Sequence, residues 1–169
     1  MSEAIYLLDS NIFIQAHRRH YPFDVFPGFW RTLEELAAQN IIKSIDKVKI
    51  ELIDKGKDGD EIKSWCTTSL DTSFFLPTAT AFDSYQEIIH WASSNKNYYS
   101  RAKEKFLATD HADSWLCAMA NLDKRYVIVT EEVSQPDSKK EIKIPEVCHE
   151  FRLDYMNTID FLRKLNVQF

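Results

Sequence analysis

Three short apolar runs govern what this chain can become. Residues 4–9 read AIYLLD, residues 41–45 read IIKSI, and residues 125–130 read RYVIVT. A strand with one wet face alternates apolar and polar residues. A run that stays apolar has to be covered on both faces, the condition of a central strand in a parallel sheet. Between these runs the apolar residues recur at helical spacing: Phe29, Trp30, Leu33, Leu36 and Ala37 within 26–40, then Phe82, Tyr85, Ile88, Ile89 and Trp91 within 80–93. Strands alternating with helices predict an α/β chain built on a parallel sheet with right-handed crossovers.

The remaining segments fill in this frame. Asn11 to Tyr21 reads as a helix stopped by Pro22. Asp46 is placed to cap a helix that carries Val48, Ile50, Leu52 and Ile53 and stops near Gly56. Further helices are expected over 57–68, 98–107 and 113–122. Residues 74–76 are either a third strand or a buried loop. Residues 141–144 are expected to form a final edge strand, and terminal helices follow Pro145, with 155–165 the clearest. There is no internal repeat or linker, and 169 residues suit a single domain over 1–169 with a core of its own.

Composition narrows the function. The three cysteines, Cys66, Cys117 and Cys148, form neither a disulfide framework nor a zinc pattern, so a reducing, cytoplasmic setting is expected. The N-terminus lacks the basic region of an ordinary secretory signal. No apolar run approaches the roughly 20 residues that span a bilayer, so no membrane partner is expected. The formal charge of −5 argues against general polyanion binding, which needs Lys and Arg to displace counterions. A site that holds Mg²⁺ through carboxylates is itself acidic without its metal, and the charge leaves that chemistry open.

Carboxylates fall where such a site would lie. Ligands of open α/β sheets sit beyond the carboxyl ends of the strands. Asp9 ends the first run, with Ser10 and Asn11 beside it to orient the carboxylate or to form a turn. Glu51 lies one turn into the helix after the second run. Asp113 opens a helix, where the dipole would also favour it, and Asp110 is placed as a cap for the same helix. Glu131 and Glu132 follow Thr130 at the end of the last run. Like charges gathered from separate elements need neutralising, and hard oxygen donors suit Mg²⁺ or Mn²⁺. Taken singly, each acid has an ordinary structural explanation.

The ordered set has a further meaning. A strand ending Asp-Ser-Asn, a Glu in the helix after strand two, Ala-Asp-Ser-Trp-Leu-Cys-Ala-Met-Ala at 112–120 and Tyr-Val-Ile-Val-Thr-Glu-Glu at 126–132 together resemble the PIN domain family over nearly the whole chain. The stretch 143–148, Lys-Ile-Pro-Glu-Val-Cys, resembles a PIN-like branch labelled a domain of unknown function. The resemblance implies a three-layer α/β/α sandwich around a mostly parallel sheet of four or five strands. It implies a Mg²⁺- or Mn²⁺-dependent ribonuclease and, as in many prokaryotic members, a toxin paired with a protein antitoxin, with a homodimer as a further expectation. Asp9, Glu51 and Asp113 match the family's first three acids, and Asn11 matches the polar residue beside the first. The fourth position, usually Asp, is Glu132 here, with Glu131 next to it. Thr130 would orient carboxylates or water, and Asp110 would support from behind.

For RNA, two basic patches are candidates: Arg18 and Arg19 after the first motif, and Arg101 and Lys103 beside Tyr98 and Tyr99. The absence of Gly-x-Ser-x-Gly, of His-Glu-x-x-His and of a glycine-rich loop after the first run argues against serine hydrolysis, zinc proteolysis and nucleotide binding. Two alternatives remain: a PIN-like interaction module that no longer cuts, and a DNA-directed structure-specific nuclease.

Overall fold

The computed structural model describes residues 3–56 and 60–169. Five strands, β1 (Ile5–Leu8), β2 (Ile42–Ile45), β3 (Phe75–Leu76), β4 (Tyr126–Val129) and β5 (Tyr155–Met156), form one sheet in the order β3-β2-β1-β4-β5. All four pairings are parallel. The chain builds one half of the sheet outward from β1 through β2 to β3, then returns to the other side of β1 for β4 and β5. The order therefore reverses between β1 and β4.

Leu7, Leu8, Ile45, Ile128 and Val129 are completely buried. Successive strand residues point to opposite faces, so burial at consecutive positions means that both faces are covered. The covering helices are α1 (Ser10–Gln15), α2 (Pro27–Ala38), α3 (Asp46–Lys49), α4 (Glu61–Ser69), α5 (Phe82–Ser94), α6 (Ser100–Leu107), α7 (Ala112–Leu122), α8 (Ile144–Phe151) and α9 (Thr158–Lys164). Burying each Leu or Ile side chain contributes about 1.5–3 kcal/mol. α7 is the most deeply placed helix: every residue from Ser114 to Ala120 is buried.

Two helices continue as wider turns. α1 runs into a π-helical turn over Ala16–His20, closed by the Tyr21 amide on the Ala16 carbonyl at 2.6 Å. α3 runs into another over Ile50–Asp54, closed by the Lys55 amide on the Ile50 carbonyl at 2.9 Å. Such turns often occur at functional positions. The first is anchored by aromatic packing: Tyr21 stacks on Phe29 at 4.4 Å, Phe23 stacks on Trp30 at 4.0 Å, and the Trp30 indole donates to the Tyr21 carbonyl at 2.8 Å.

The structure departs from sequence expectation in four places. Residues 141–143 join no strand, and helix α8 begins at Ile144. The fifth strand is instead Tyr155–Met156, which the sequence places in a terminal helix. Ile142 and Ile144 are both buried, so the Glu-Ile-Lys-Ile alternation is that of an extended lead-in whose backbone pairs with no strand; Pro145 at the first turn of α8 suits a helix start. Asp46 does not cap α3: its carboxylate accepts from the Thr78 amide at 3.1 Å and hydroxyl at 2.9 Å, tying α3 to the segment after β3. The helix expected over 57–68 is α4, capped by Asp60, whose Oδ1 accepts from the Ile62 amide at 2.9 Å; residues 57–59 lie outside the described residues.

Candidate functional site

The register of β1 on β4 assembles the centre of the site. Leu8 pairs with Val129, so the next residues, Asp9 and Thr130, meet at the carboxyl edge where the strand order reverses. That reversal is the usual ligand crevice of an open α/β sheet. The Asp9 amide donates to the Val129 carbonyl at 3.1 Å. Asp9 as a whole is 1% exposed; its Oδ2 accepts from the Thr130 hydroxyl at 3.0 Å, and its Oδ1 accepts a long 3.4 Å bond from the Ser10 hydroxyl. Burial pushes the Asp9 carboxyl up to about 7, the charge of Glu132 adds to it, the Thr130 hydrogen bond opposes it, and Glu51 raises it further.

Asp113 stands in the first turn of α7. Burial holds its carboxyl well above the ordinary carboxylate range, and the charges of Asp9, Glu132 and Glu51 push the same way; Lys105 opposes them. His111 Nε2 lies 3.6 Å from Asp113 Oδ2, while its buried Nδ1 has no hydrogen-bond partner among the described residues. Burial and then Lys105 lower the imidazole's pKa. Glu132 is fixed at two points: its amide donates to the Thr130 hydroxyl at 3.2 Å, and its Oε2 accepts from the Ile144 amide at 2.7 Å. Burial raises its pKa, against the pull of that amide and of Lys143. Glu51, half-buried in the second π-helical turn, acts on both aspartates.

Asp9, Glu51, Asp113 and Glu132 therefore share one electrostatic neighbourhood. They act on one another across space: among the described residues, no three acidic, histidine or cysteine side chains close around one point as a complete protein shell would. The donors are hard oxygens, and their mutual repulsion is relieved by protons or by a cation. A hydrated divalent ion that keeps several waters fits such a spaced set.

Other sequence candidates fall elsewhere. Glu131 turns away from Glu132, and its Oε1 accepts from the Thr158 amide at 3.0 Å and from the Thr158 hydroxyl. Consecutive residues at a strand end face opposite ways, which separates the two glutamates. Asp110 is no cap of α7; it pairs with Lys55 at 3.3 Å on an exposed face, and that lysine holds its carboxyl below the usual range. Asn11 is half-buried and its side chain makes no hydrogen bond among the described residues. Arg18 and Arg19 are exposed on the first π-helical turn, and Arg101 is exposed on α6. Lys103 donates to the Ser93 carbonyl at 3.2 Å, a tie between α6 and α5.

Lys105, rather than Lys103, shares the cleft of Asp113 and Glu132, together with Lys143. Helical phase does not separate the two lysines, which stand at equal angles to either side of the buried Ala102 and Phe106; what packs along each flank of α6 decides which one meets the acids. Ser44 was not legible at all. Its buried hydroxyl donates to the Leu8 carbonyl at 2.7 Å, bracing the strand end that carries Asp9.

A parallel sheet in this order, with acids from β1, the helix after β2, α7 and the end of β4 gathered at one edge, is a PIN-like α/β architecture. The chain is similar to a chain in the crystal structure of VapBC2 from Rickettsia felis bound to a DNA fragment from their promoter, with a TM-score of 0.51 at 19% identity, over 90% of this chain and 98% of that one. At that identity the likeness shows the fold. No curated protein matches in sequence. The chain belongs to the family described as Domain of unknown function (DUF4411), whose model matches residues 6–169.

Proposed function

We propose that this chain is a metal-dependent endoribonuclease of PIN type that hydrolyses phosphodiester bonds of single-stranded RNA. The observation that carries the proposal is the placement of Asp9, Asp113, Glu132 and Glu51 about the switch point of the sheet, with Asp9 buried and tied through Thr130 to Glu132. Like charges are rarely buried together for stability alone, because each ionises at the others' expense. Asp9, Asp113, Glu51 and Glu132 would hold Mg²⁺ or Mn²⁺. Such an ion, when bound, lowers the pKa of an attacking water and stabilises the oxygens of an in-line displacement.

The protein's own residues have separate tasks. Thr130 spends its hydrogen on Asp9 and its lone pair on the Glu132 amide, so one hydroxyl orients two of the acids. Lys105 and Lys143 line the acid cleft and supply charge toward a phosphate. Arg18 and Arg19 on the first π-helical turn extend that charge along a strand of RNA. The fold's likeness to a VapBC2 chain supports a second part of the reading, that the chain is the toxin of a cytoplasmic toxin–antitoxin pair with a protein antitoxin as partner.

The test uses purified protein with Mg²⁺ or Mn²⁺ on single-stranded RNA, with flap DNA as the comparison. RNA is cut, DNA is not, and Asp113→Asn abolishes cutting while the circular dichroism spectrum stays unchanged. Equal cutting by both proteins would refute the assignment. A non-cutting interaction module is the rival reading, supported by the engagement of Glu132 with the Ile144 amide; such a module shows no divalent-metal binding in calorimetry.

A further inference from the structure

A second cavity lies on the other side of the same strand ends. Its floor and walls are Ile12, Ala16 and Ile159, and its polar groups come from Gln15, His20, Glu131 and Thr158, with Tyr21 at one side. Its volume is about 150 Å³, below the roughly 300–1,000 Å³ of drug-sized ligand sites, so it suits a small planar group such as one base. We infer that this cavity reads a guanine base of the bound RNA, with Glu131 as the discriminating residue. The inference rests on the RNA-cleaving role proposed above.

Position argues first for a part of the same substrate. Glu131 follows Thr130, whose hydroxyl holds Asp9, and Ile12 lies in the helix that begins immediately after Asp9. Both openings thus border the ends of β1 and β4, and one RNA strand is inferred to lie across them. The exposed Arg18 and Arg19 stand on the same turn as His20, so phosphate-binding charge flanks the cavity.

Chemistry then selects the base. The two donors of Thr158 fix Oε1 of Glu131, while its other oxygen accepts no hydrogen bond among the described residues. The Gln15 side-chain amide is likewise unengaged there. The cavity thus offers a fixed anionic acceptor together with an amide donor. Guanine alone among the four bases presents two adjacent donors, N1–H and N2–H, beside an acceptor, O6. Adenine would set the N1 lone pair against the carboxylate, cytosine its N3 lone pair, and uracil has one N–H between two carbonyls. Ile12 and Ile159 supply apolar surface for the ring faces, and Tyr21 is immobilised by its stack on Phe29.

An arginine of a partner protein also carries paired donors, and the experiment separates that occupant from a base. Calorimetry in EDTA measures 5′-GMP, 5′-AMP and 5′-IMP, the last lacking the N2 amine, with N-acetylarginine amide as competitor. GMP binds at least about tenfold more tightly than AMP, the scale of one specific base contact, and IMP loses most of that advantage. Glu131→Gln brings the GMP-to-AMP ratio to within about twofold. Because that substitution also touches Thr158 and α9, Gln15→Glu is the second variant; it sets a carboxylate against O6 and weakens GMP with an unchanged melting temperature. The inference is overturned by equal GMP and AMP affinities, by no GMP binding at millimolar concentration, by both variants retaining the wild-type ratio, or by the arginine amide binding better than GMP. No arm requires cleavage. A protein that prefers guanine but cuts nothing removes the nuclease reading; one that cuts RNA without preferring guanine removes only the role given to this cavity.

Discussion

The hydroxyl of Thr130 donates to Oδ2 of Asp9 at 3.0 Å across 121 positions of sequence. The Thr130 hydroxyl oxygen in turn accepts from the Glu132 amide at 3.2 Å. One small side chain thus locks together the ends of β1 and β4 and the first turn of the chain beyond them.

Replacing that residue tests the lock. Thr130→Val keeps the shape and deletes the hydroxyl, leaving Oδ2 of the buried Asp9 carboxylate without its donor and the Glu132 amide without its acceptor. An unsatisfied buried group costs about 1–3 kcal/mol, so chemical denaturation should show a midpoint shift of that size. Divalent-metal affinity should fall by about 10–100-fold, as for other supporting partners of metal ligands; unchanged affinity in calorimetry would show that Thr130 orients nothing.

Asp113→Asn should lower metal-dependent RNA cleavage by more than about a hundredfold, beyond the range of a supporting residue. The same change removes one of the mutually repelling charges. The metal-free variant should therefore melt higher than the parent at pH 8, read by differential scanning calorimetry. A lower melting temperature would mean that the Asp113 charge stabilises the fold.

Stability should depend on pH with a definite sign. The Asp9 carboxyl is raised to about 7 from an ordinary value near 3.8, so between those values the folded state holds more protons than the unfolded chain. Stability is then fully present below about 3.8 and is lost as pH rises through about 7; Asp113, raised by the same causes, adds in the same direction. Melting of the metal-free protein should fall by several degrees from pH 5 to 8, at about 2–4 °C per kcal/mol for a domain of this size. Mg²⁺ should raise the melting temperature more at pH 8 than at pH 5.5. A flat or opposite profile between pH 5 and 8 would contradict the buried acid cluster.

Asp110→Ala should be nearly silent. Its pair with Lys55 is exposed on both sides, and exposed pairs contribute little. The denaturation midpoint and metal affinity should both match the parent; weakened metal binding would place Asp110 back in the site.

Much of this was legible in the amino-acid order because the physics was local. The runs at 5–8, 42–45 and 126–129 had to be central strands, since their residues are buried at consecutive positions. The positions of Asp9 at the end of β1 and of Asp113 in the first turn of α7 followed from those same runs. What stayed hidden depends on direction or partnership. β5 has two half-buried residues and carries no pattern of its own. The choice between Glu131 and Glu132 turns on which side of the strand end each faces, and that between Lys103 and Lys105 on what packs along each flank of α6, since both stand at the same angle from Ala102 and Phe106. Ser44 braces Asp9 from a neighbouring strand, a contact that spacing along the chain cannot reveal.

The position of β1 has a consequence for how the protein comes into being. Synthesis proceeds from the N-terminus, and the strand made first sits in the middle of the sheet, between the second and the fourth. Until residue 130 has left the ribosome, Asp9 has neither Thr130 nor Glu132 beside it, and one edge of β1 stands open. The acid cluster is thus completed only once residues 130–132 have joined it, and a nascent chain that stops short of them carries no assembled site.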